Sequence, residues 1–361
     1  MKTARLIIVV VLIAVIAVAG IYAALALTAA PSFCTSTWHC SAGYPIEIDG
    51  TYGVEGLQCV PGNSTMYCIG GADANYGPRD EVYYADMSSG NISGWTAGST
   101  PYPNYIFDQS CVTSSGYVYC VGGSYDDNYD DVASSYYAQI MPDGTLGNWS
   151  STTAYPIPVD TESCSVYSSH IYCVGGYNET DGSEADAAHS SSVWYASLSS
   201  SGIGTWTLTT PYPDGVYLPS CYAVSGFIYC VGGVNDNGNA VGTAYFAPLS
   251  SAGVGGWTKT TSYQVAAFLP ACVISAAQLL CVGGETGSES SSSPTYTSAV
   301  YHAPLTPGGI GTWTKSTGYP VSIGTDCASL TGNIYCVGGL DQSSAGMDNY
   351  VEYASIPSLL G

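Results

Sequence analysis

Basic residues are almost missing from this sequence of 361 residues, which contains five Lys and Arg against 27 Asp and Glu. Lys2 and Arg5 lie at the extreme N-terminus, so the rest of the chain carries only Arg79, Lys259 and Lys315. A nucleic-acid-binding protein needs a basic surface that neutralises phosphate groups. The scarcity of basic residues therefore excludes nucleic acid as a partner.

Charged residues of either sign make up only 9% of the chain, and the helix formers Glu, Lys and Leu are few, whereas Gly occurs 44 times. Such a composition is typical of short strands joined by tight turns. The length allows one large repeat domain or two ordinary domains. We therefore expect an all-β protein.

One long apolar run, residues 6–28, contains no charged residue and follows two basic residues. A helix of this length spans the hydrocarbon core of a bilayer, which is about 30 Å thick. The run is longer than the apolar part of most signal peptides, although Ala24–Ala26 leaves a cleaved signal as the alternative. The basic residues place the N-terminus in the cytoplasm. The chain is thus predicted to comprise a cytoplasmic N-terminus (1–5), a transmembrane signal-anchor (6–28), a linker (29–33) and an extracellular, cell-surface domain (34–361).

The 14 cysteines include neither a CxxC nor a CxxH spacing, which makes a zinc site a weak interpretation. Their even number indicates disulfides, and disulfides persist in oxidising compartments. Twelve cysteines form pairs with a constant separation of nine residues and turn-forming residues in between. A two-residue hairpin turn at each centre places both cysteines at a non-hydrogen-bonded position, where Cα atoms approach to about 4.5 Å. The predicted hairpin disulfides are Cys59–Cys68, Cys111–Cys120, Cys164–Cys173, Cys221–Cys230, Cys272–Cys281 and Cys327–Cys336.

The cysteine pairs mark a repeat with a period of 51 to 57 residues. Each pair ends in Gly-Gly, and a polar loop and an aromatic strand such as VYYADM (82–87) follow. Four strands in a repeat of about 50 residues are typical of a β-propeller blade. A Trp closes five of the six repeats, at Trp95, Trp149, Trp206, Trp257 and Trp313.

The sixth repeat has no such Trp, but Trp38 near the N-terminus carries the matching downstream pattern. Tyr44-Pro45 follows Trp38 at the spacing with which Tyr155-Pro156 follows Trp149. We infer that the N-terminal segment supplies the outer strand of the sixth blade, which closes the ring and removes an exposed edge. Cys34 and Cys40 then form a disulfide at this closing strand.

A hydrophobic strand ending in Gly-Gly, followed by an aromatic strand and a Trp, resembles the kelch-repeat family. The resemblance covers residues 34–361 in register. It implies a six-bladed β-propeller, a fold that does not by itself determine an activity. The two cysteines in each repeat and the scarcity of basic residues depart from the family pattern.

The acidic residues are predicted to crowd one face of the propeller. In a kelch-like blade, the connections after the second and fourth strands emerge on the same face. Only Asp86, Asp143 and Glu352 fall outside these loops and their flanks. The other 24 carboxylates form a face of one sign, which attracts cations and repels anionic polymers.

The densest acidic loop is a candidate calcium site. Ca²⁺ takes about six to eight oxygen ligands, and this loop carries enough carboxylates to supply most of them. It lacks the spaced Gly of an EF-hand, and a solvated acidic loop is the alternative. Residues 235–239 are a weaker second candidate. The predicted ligands are Asp126, Asp127, Asp130 and Asp131.

Tyrosine is abundant, with 32 residues, and ten of them fall into two groups of interest. Those at repeated positions are expected to pack between blades. Those in variable loops of the acidic face are candidates for ligand binding, because aromatic rings beside carboxylates and amides suit a sugar-binding surface. The repeated class is Tyr44, Tyr102, Tyr155, Tyr212, Tyr263 and Tyr319, and the variable class is Tyr105, Tyr129, Tyr177 and Tyr217.

Catalysis has little support in the sequence. Kelch relatives include a copper radical oxidase, which needs histidine ligands, and sialate epimerases, which need arginines for the substrate carboxylate. Arg79 stands alone in the extracellular domain, and no nucleophile with an oriented base can be identified. Cysteines in structural pairs leave no free thiol. The four histidines, at four different places in the repeats, are His39, His170, His189 and His302.

The sequence thus predicts a membrane-anchored, extracellular, non-enzymatic recognition, adhesion or surface-coat protein that binds a protein or glycan through its acidic face. One alternative is a secreted, kelch-type carbohydrate-active enzyme. A second alternative is a filament or array subunit assembled through the apolar N-terminal helix. Four N-glycosylation sequons stand in predicted turns or loops, at Asn63, Asn91, Asn148 and Asn178.

Overall fold

The chain folds into a six-bladed β-propeller, which confirms the all-β architecture predicted from the repeats. The computed structural model describes residues 34–361 except 49–50, 74, 126–129, 179–187, 289–290, 292, 294, 322 and 342–345. The predicted signal-anchor at 6–28 lies outside these residues. Within them, no helix has the length and apolar character needed to cross a membrane.

Each blade is an antiparallel sheet of four strands, which run in chain order from the centre outwards except for the outermost strand of blade 6. The innermost strands contact one another around a central channel, and the strand of the sixth blade contacts that of the first. From blade 1 to blade 6, these strands are Gln58–Gly62, Ser110–Ser114, Ser163–Tyr167, Ser220–Val224, Ala271–Ser275 and Ile323–Leu330.

The second and third strands form the body of each blade. The second strands are Thr65–Ile69, Tyr117–Val121, His170–Val174, Phe227–Val231, Gln278–Val282 and Asn333–Asp341. The third strands are Val82–Asp86, Ser135–Gln139, Val193–Ser199, Ala244–Ser250, Val300–Thr306 and Gly346–Ser355.

The outermost strands are only two residues long. They are Thr96–Ala97, Ser150–Ser151, Thr207–Leu208, Thr258–Lys259 and Thr314–Lys315 in blades 1 to 5, and His39–Cys40 in blade 6. The third strands of blades 3, 4 and 5 also pair with Gly202–Ile203, Gly253–Val254 and Gly309–Ile310. A short helix, α1 (Ile356–Leu360), follows the last strand and buries Ile356 and Leu359.

The N-terminal segment closes the ring as predicted. His39 lies opposite Tyr353, and Cys40 lies opposite Glu352, so the last blade receives its fourth strand from the start of the domain. This arrangement leaves no unpaired outer edge on the third strand, where another chain would otherwise pair.

All seven predicted disulfides are present, and no described cysteine is free. Cys111 lies directly opposite Cys120 in a hairpin whose turn is Ser115–Gly116. The Cα atoms of this pair are 4.1 Å apart, which is the close approach of a non-hydrogen-bonded position. Each hairpin disulfide joins the innermost strand of a blade to the second strand, so the disulfides surround the channel. Disulfides of this number indicate an oxidising, extracellular environment.

The Gly-Gly pairs at the ends of the second strands are required by close contact between blades. Gly122 and Gly123 have φ of 64° and 96°, a region that side chains rarely adopt. A Cβ atom on Gly122 would lie 2.4 Å from the carbonyl oxygen of Val159, which precedes the next blade. Any larger residue would therefore push the two blades apart.

Candidate binding site at one mouth of the channel

One end of the channel is lined by acidic residues, among them Glu55, Asp108 and Glu162. We call the side where the innermost strands begin and the second strands end the mouth face. The opposite side, which carries hairpin turns such as Ser115–Gly116, is the turn face. The channel encloses about 650 Å³. That volume lies within the range of small-molecule sites, about 300–1,000 Å³.

A collar of left-handed residues stands at the mouth, three positions before the first cysteine of blades 1 to 5. Asp108, Thr161 and Leu218 have φ of 55°, 54° and 52°. Their backbones are linked from blade to blade, because Asp108 N–H donates to Gly56 O (2.8 Å), Thr161 N–H to Asp108 O (2.9 Å) and Leu218 N–H to Thr161 O (3.1 Å). The collar therefore fixes the positions of the residues around the mouth.

Short ribbons rise beyond the collar on the mouth face. In each ribbon, the residue just before the collar residue pairs with the residue just after the Gly-Gly of the same blade. In blade 3, for example, Asp160 pairs with Tyr177. These ribbons carry Glu55, Asp160, Tyr217 and Glu285 to the rim. Those long enough to form strands are Val54–Glu55 with Ala72–Asp73, Tyr177–Asn178 with Ala188–His189, Val216–Tyr217 with Val234–Asn235, and Glu285–Thr286 with Thr295–Tyr296, while Glu47–Ile48 and Thr51–Tyr52 form a separate ribbon.

Polar side chains join neighbouring innermost strands just inside the mouth. Asp326 Oδ2 accepts hydrogen bonds from the Cys59 backbone N–H (2.6 Å) and from Gln58 Nε2 (2.9 Å). Ser110 Oγ accepts the N–H of Cys164 at 3.0 Å in the same way. These bonds use side chains at one repeated position to hold each blade to the next.

Carboxyl groups from blades 1 to 3 converge on one half of the mouth. Glu55, Asp108 and Glu162 line the channel, and Glu162 is only 4% exposed. Asp160 is also buried, 8% exposed, and its carboxyl group lies beside this set. Carboxyls that are far apart in the sequence thus form one acidic group.

A single hydroxyl group, that of Ser124, bridges Asp160 to a further carboxyl, that of Asp131. Ser124 Oγ lies 2.9 Å from Asp160 Oδ2 and 2.9 Å from Asp131 Oδ1. A serine hydroxyl has one proton and can donate it to only one of them. If Ser124 donates to Asp131, a protonated Asp160 completes the second bond by donating to Ser124. The geometry therefore favours one protonated carboxyl in this pair, and burial, which raises the pKa of Asp160, makes Asp160 the neutral one.

Burial and mutual repulsion raise the pKa values of the mouth carboxyls. Burial, followed by the charges of Asp108 and Glu285, raises the pKa of Glu55 to about 8. Burial and the charge of Asp131 raise the pKa of Asp108 to about 6. Burial, above all, also raises the pKa values of Asp160 and Glu162. The group is therefore partly protonated at neutral pH.

No Lys or Arg is among the described residues that line the channel. Arg79 is instead bound to Asp73 (3.3 Å) and Glu81 (2.5 Å). Lys259 and Lys315 lie on the outermost strands of blades 4 and 5. The described part of the chain thus provides no cationic side chain inside the channel to balance the acidic half of the mouth.

The other half of the mouth is apolar. Leu218 and Pro219 from blade 4 and Leu269 and Pro270 from blade 5 line the channel at the positions that carry acidic or polar residues in blades 2 and 3. The mouth is therefore chemically asymmetric, with acceptor oxygens on one side and hydrocarbon on the other.

Two of the predicted ligand-binding tyrosines come together at the rim. The rings of Tyr177 and Tyr217 are 5.5 Å apart, and His189 lies 4.7 Å from Tyr217. Backbone hydrogen bonds in both directions join Tyr177 to Asp160, which places this aromatic group beside the acidic half. Tyr105 is 58% exposed and is not among the residues lining the channel, and Tyr129 lies outside the described residues.

The predicted calcium ligands are only partly described. Asp126 and Asp127 lie outside the described residues, Asp130 lies 3.5 Å from the Tyr125 hydroxyl, and Asp131 joins the mouth through Ser124. Among the residues that are described, no group of three or more His, Cys, Asp or Glu side chains is arranged to hold a metal ion.

The predicted glycosylation sites differ in their surroundings. Asn63 and Asn148 are exposed. The amide oxygen of Asn91 accepts a hydrogen bond from Ser41 Oγ at 2.9 Å. The amide nitrogen of Asn178 donates to Pro158 O, a bond that a glycan on this nitrogen would disturb.

Sequence reasoning missed the carboxyl residues that line the channel. Glu55, Asp108, Glu162 and Asp326 stand one to four positions before the first cysteine of their blades. An acidic residue within four positions of the first cysteine was the signal in the sequence that could have identified them, because this segment leads into the innermost strand. Acidic loop density led instead to residues 126–131.

The comparisons with known proteins support the fold alone. No family model matches the chain, and no curated protein matches it either. The solved structure of YjhT is similar to this chain with a TM-score of 0.66 and 13% sequence identity, over 86% of this chain and 95% of that chain. At this identity, the similarity concerns the arrangement of the chain and not its function.

Proposed function

We propose that this protein is a kelch-type, membrane-anchored extracellular propeller that recognises a protein or glycan through the mouth face without catalysing a reaction. The observation that carries the proposal is the convergence of Glu55, Asp108, Asp160 and Glu162 on one cavity that no described Lys or Arg lines. The asymmetric mouth suits a ligand that donates hydrogen bonds on one side and offers an apolar surface on the other.

The charge balance argues against turnover of anionic substrates. Stabilising an anionic transition state requires positive groups or aligned donors at the reacting atoms. The carboxyl groups of the mouth would instead destabilise an anionic transition state. The histidines also lie apart, because His39 is in the outer strand of blade 6, His170 begins a second strand on the turn face, and His302 is in the third strand of blade 5.

A carbohydrate-active enzyme is the second candidate, and one observation favours it. Carboxyls with raised pKa values in a cavity are what a general acid requires, and the partly buried Glu55 and the buried Glu162 meet that description. The assembly of a filament is a weaker alternative, because it rests on residues 6–28, outside the described part of the chain.

The test screens the full-length protein against a glycan array and a peptide panel, with assays for glycosidase and oxidase turnover in parallel. A mouth variant, Asp108→Asn/Glu162→Gln, is compared with Asp86→Asn/Asp143→Asn, which removes the same number of carboxyl groups outside the mouth. The proposal expects a ligand whose binding is lost only in the mouth variant, with no turnover. Turnover that the mouth variant abolishes would establish the enzyme instead.

A further inference from the structure

One residue departs from the repeat at the interface where the N-terminal strand closes the ring. In blades 1 to 5, the third-strand residue opposite the second cysteine is aromatic, and the repeated tyrosine before each blade packs against it, as Tyr44 does against Tyr83 at 5.4 Å. In blade 6 this position is Glu352, and the Tyr319 hydroxyl donates a hydrogen bond to its Oε2. The aromatic residues at this position are Tyr83, Tyr136, Trp194, Tyr245 and Tyr301.

The carboxyl group of Glu352 is buried and only half satisfied. Glu352 is 1% exposed, and its Oε1 has no hydrogen-bond partner among the described residues. Removing an ionised carboxylate from water is costly unless it is paired and hydrogen-bonded. Burial therefore raises the pKa of Glu352 from 4.5 to about 7, although the hydrogen bond from Tyr319 opposes the rise.

The groups around Glu352 supply no compensating positive charge. The residues opposite it, Cys40 and Cys336, are in disulfides and do not titrate. His39 packs its ring against Tyr353, with the ring centroids 5.3 Å apart. Lys315, on the outermost strand of blade 5, is exposed. The other titratable groups of the adjoining segments are acidic or phenolic: Asp348, Tyr319, Tyr350 and Tyr353.

The closing interface also lacks a hydrogen bond that four other blades have. In those blades the indole N–H of the outer Trp donates to a backbone carbonyl, as Trp95 does to Ala42 O at 2.9 Å. Trp38 Nε1 is buried without a partner among the described residues, as is Trp149 Nε1. The N-terminal strand is thus attached less completely than most outer strands.

Two backbone hydrogen bonds report whether this strand is in place. The N–H of Ser41 donates to Val351 O, and that of Tyr44 donates to Asn349 O, both at 2.8 Å. Opening of the strand breaks both bonds and exposes the edge of the third strand, Gly346–Ser355, where another chain can pair.

We propose that the protonation state of Glu352 controls the closure of the ring. The protonated carboxyl keeps the N-terminal strand in place, and its ionisation opens this strand locally while the other blades stay folded. The inference concerns the closure of the propeller and does not depend on the proposed recognition function.

The direction of the pH dependence follows from where the proton is held. In the closed ring Glu352 keeps its proton up to about pH 7, whereas an exposed glutamate releases it near pH 4.5. The closed state therefore loses stability as pH rises from about 4.5 to about 7. Between pH 5 and pH 8, the equilibrium constant for opening should rise at least about tenfold.

The experiment is amide hydrogen exchange of the full-length protein at pH 5 and pH 8, expressed as protection factors so that the intrinsic pH dependence of exchange is removed. The protection factors of Ser41 and Tyr44 should fall at least about tenfold more than those of Thr209 and Tyr212. These two residues are the matched control, because their N–H groups make the equivalent bonds to Val193 O and Ser191 O in a blade that carries Trp194 instead of Glu352.

Variants assign the effect to Glu352. Glu352→Gln should abolish the additional fall at Ser41 and Tyr44, because Gln does not titrate. The control Glu162→Gln removes another buried carboxyl, away from the closing strand, and should leave that fall unchanged. Thermal unfolding verifies that each variant is folded.

Tyr319→Phe gives a second readout if Glu352→Gln is unfolded. It removes the hydrogen bond that lowers the pKa of Glu352, so the loss of protection should move to higher pH. A merely structural contact would instead reduce protection equally at every pH.

An equal fall at all four amides of the wild-type protein would overturn the proposal, because it would mean that pH acts on the whole domain. An unchanged fall in Glu352→Gln, or its loss in Glu162→Gln, would also overturn it.

Discussion

The indole ring of Trp38 packs edge-on against the ring of Tyr319, with the ring centroids 4.8 Å apart. Trp38 comes from the start of the domain and Tyr319 from the segment before the last blade. The five other blades contain the same pair at 4.9 to 5.0 Å, as Tyr44 and Trp95 show at 5.0 Å. The N-terminal segment thus completes a sixth copy of a repeated contact.

Replacing Trp38 should open this closure. Trp38 is fully buried, and Trp→Ala in such a site costs about 3–5 kcal/mol of unfolding free energy. Trp257→Ala is the matched control, because Trp257 is partly exposed, and its loss should be smaller. Denaturant unfolding measures both. Equal stability of wild type and Trp38→Ala would show that the N-terminal strand does not close the ring.

The hairpin disulfides should each contribute separately to stability. Closing a loop of ten residues restricts the unfolded chain, which the chain-entropy relation values at about 2.7 kcal/mol. Cys111→Ser/Cys120→Ser should therefore lower the unfolding free energy by about that amount. Peptide mapping without reduction should recover the seven pairs of the structure, and bridges between blades would contradict them.

The protein should be more stable in acid than in alkali. Burial raises the pKa of Glu352 from 4.5 to about 7 and that of Asp326 from 3.8 to about 6, and the pKa of Glu55 rises to about 8. Between about pH 4 and pH 8, the folded state holds protons that the unfolded state has released. Unfolding then releases protons, so the unfolding free energy falls as pH rises through this window.

The measurement is the melting temperature at pH 5 and at pH 8. Wild type should melt higher at pH 5, and Glu352→Gln should reduce the difference, because Gln does not titrate and still accepts the hydrogen bond from the Tyr319 hydroxyl. A higher melting temperature at pH 8 would contradict the burial of these carboxyls.

The binding of calcium by the acidic loop remains a prediction, which thermal unfolding can test. If the loop carrying Asp126 and Asp130 binds Ca²⁺ only in the folded protein, millimolar Ca²⁺ raises the melting temperature above its value in EDTA. Asp126→Asn/Asp130→Asn should abolish the rise. Identical curves in EDTA and Ca²⁺ would leave these acids as a solvated surface.

Much of the fold can be predicted from the sequence because the same pattern of residues occurs in six repeats. A constant separation of nine residues between cysteines defines the register of each hairpin, as Cys111 and Cys120 demonstrate. The spacing from Trp38 to Tyr44 identifies the closing strand. These features follow from short-range geometry and from repetition, which a single sequence displays.

The candidate site was harder to predict from the sequence, because it depends on contacts between blades. Asp108 precedes blade 2, whereas Asp160 and Glu162 precede blade 3, and only the curvature of the ring brings their carboxyls to one mouth. Nothing in the sequence links Ser124 to Asp131 and Asp160. Acidic loop density led to residues 126–131 and could not identify the cavity.

The central claim is that ligands bind at the mouth face. Amide hydrogen exchange of the full-length protein, with and without the tightest ligand of the glycan and peptide screens, tests it most directly. We predict added protection at residues 54–58, 107–110 and 160–163, which flank the cavity, and no change at the turn-face hairpins 115–116 and 225–226. Protection centred on the turn face or on the outermost strands would contradict the account.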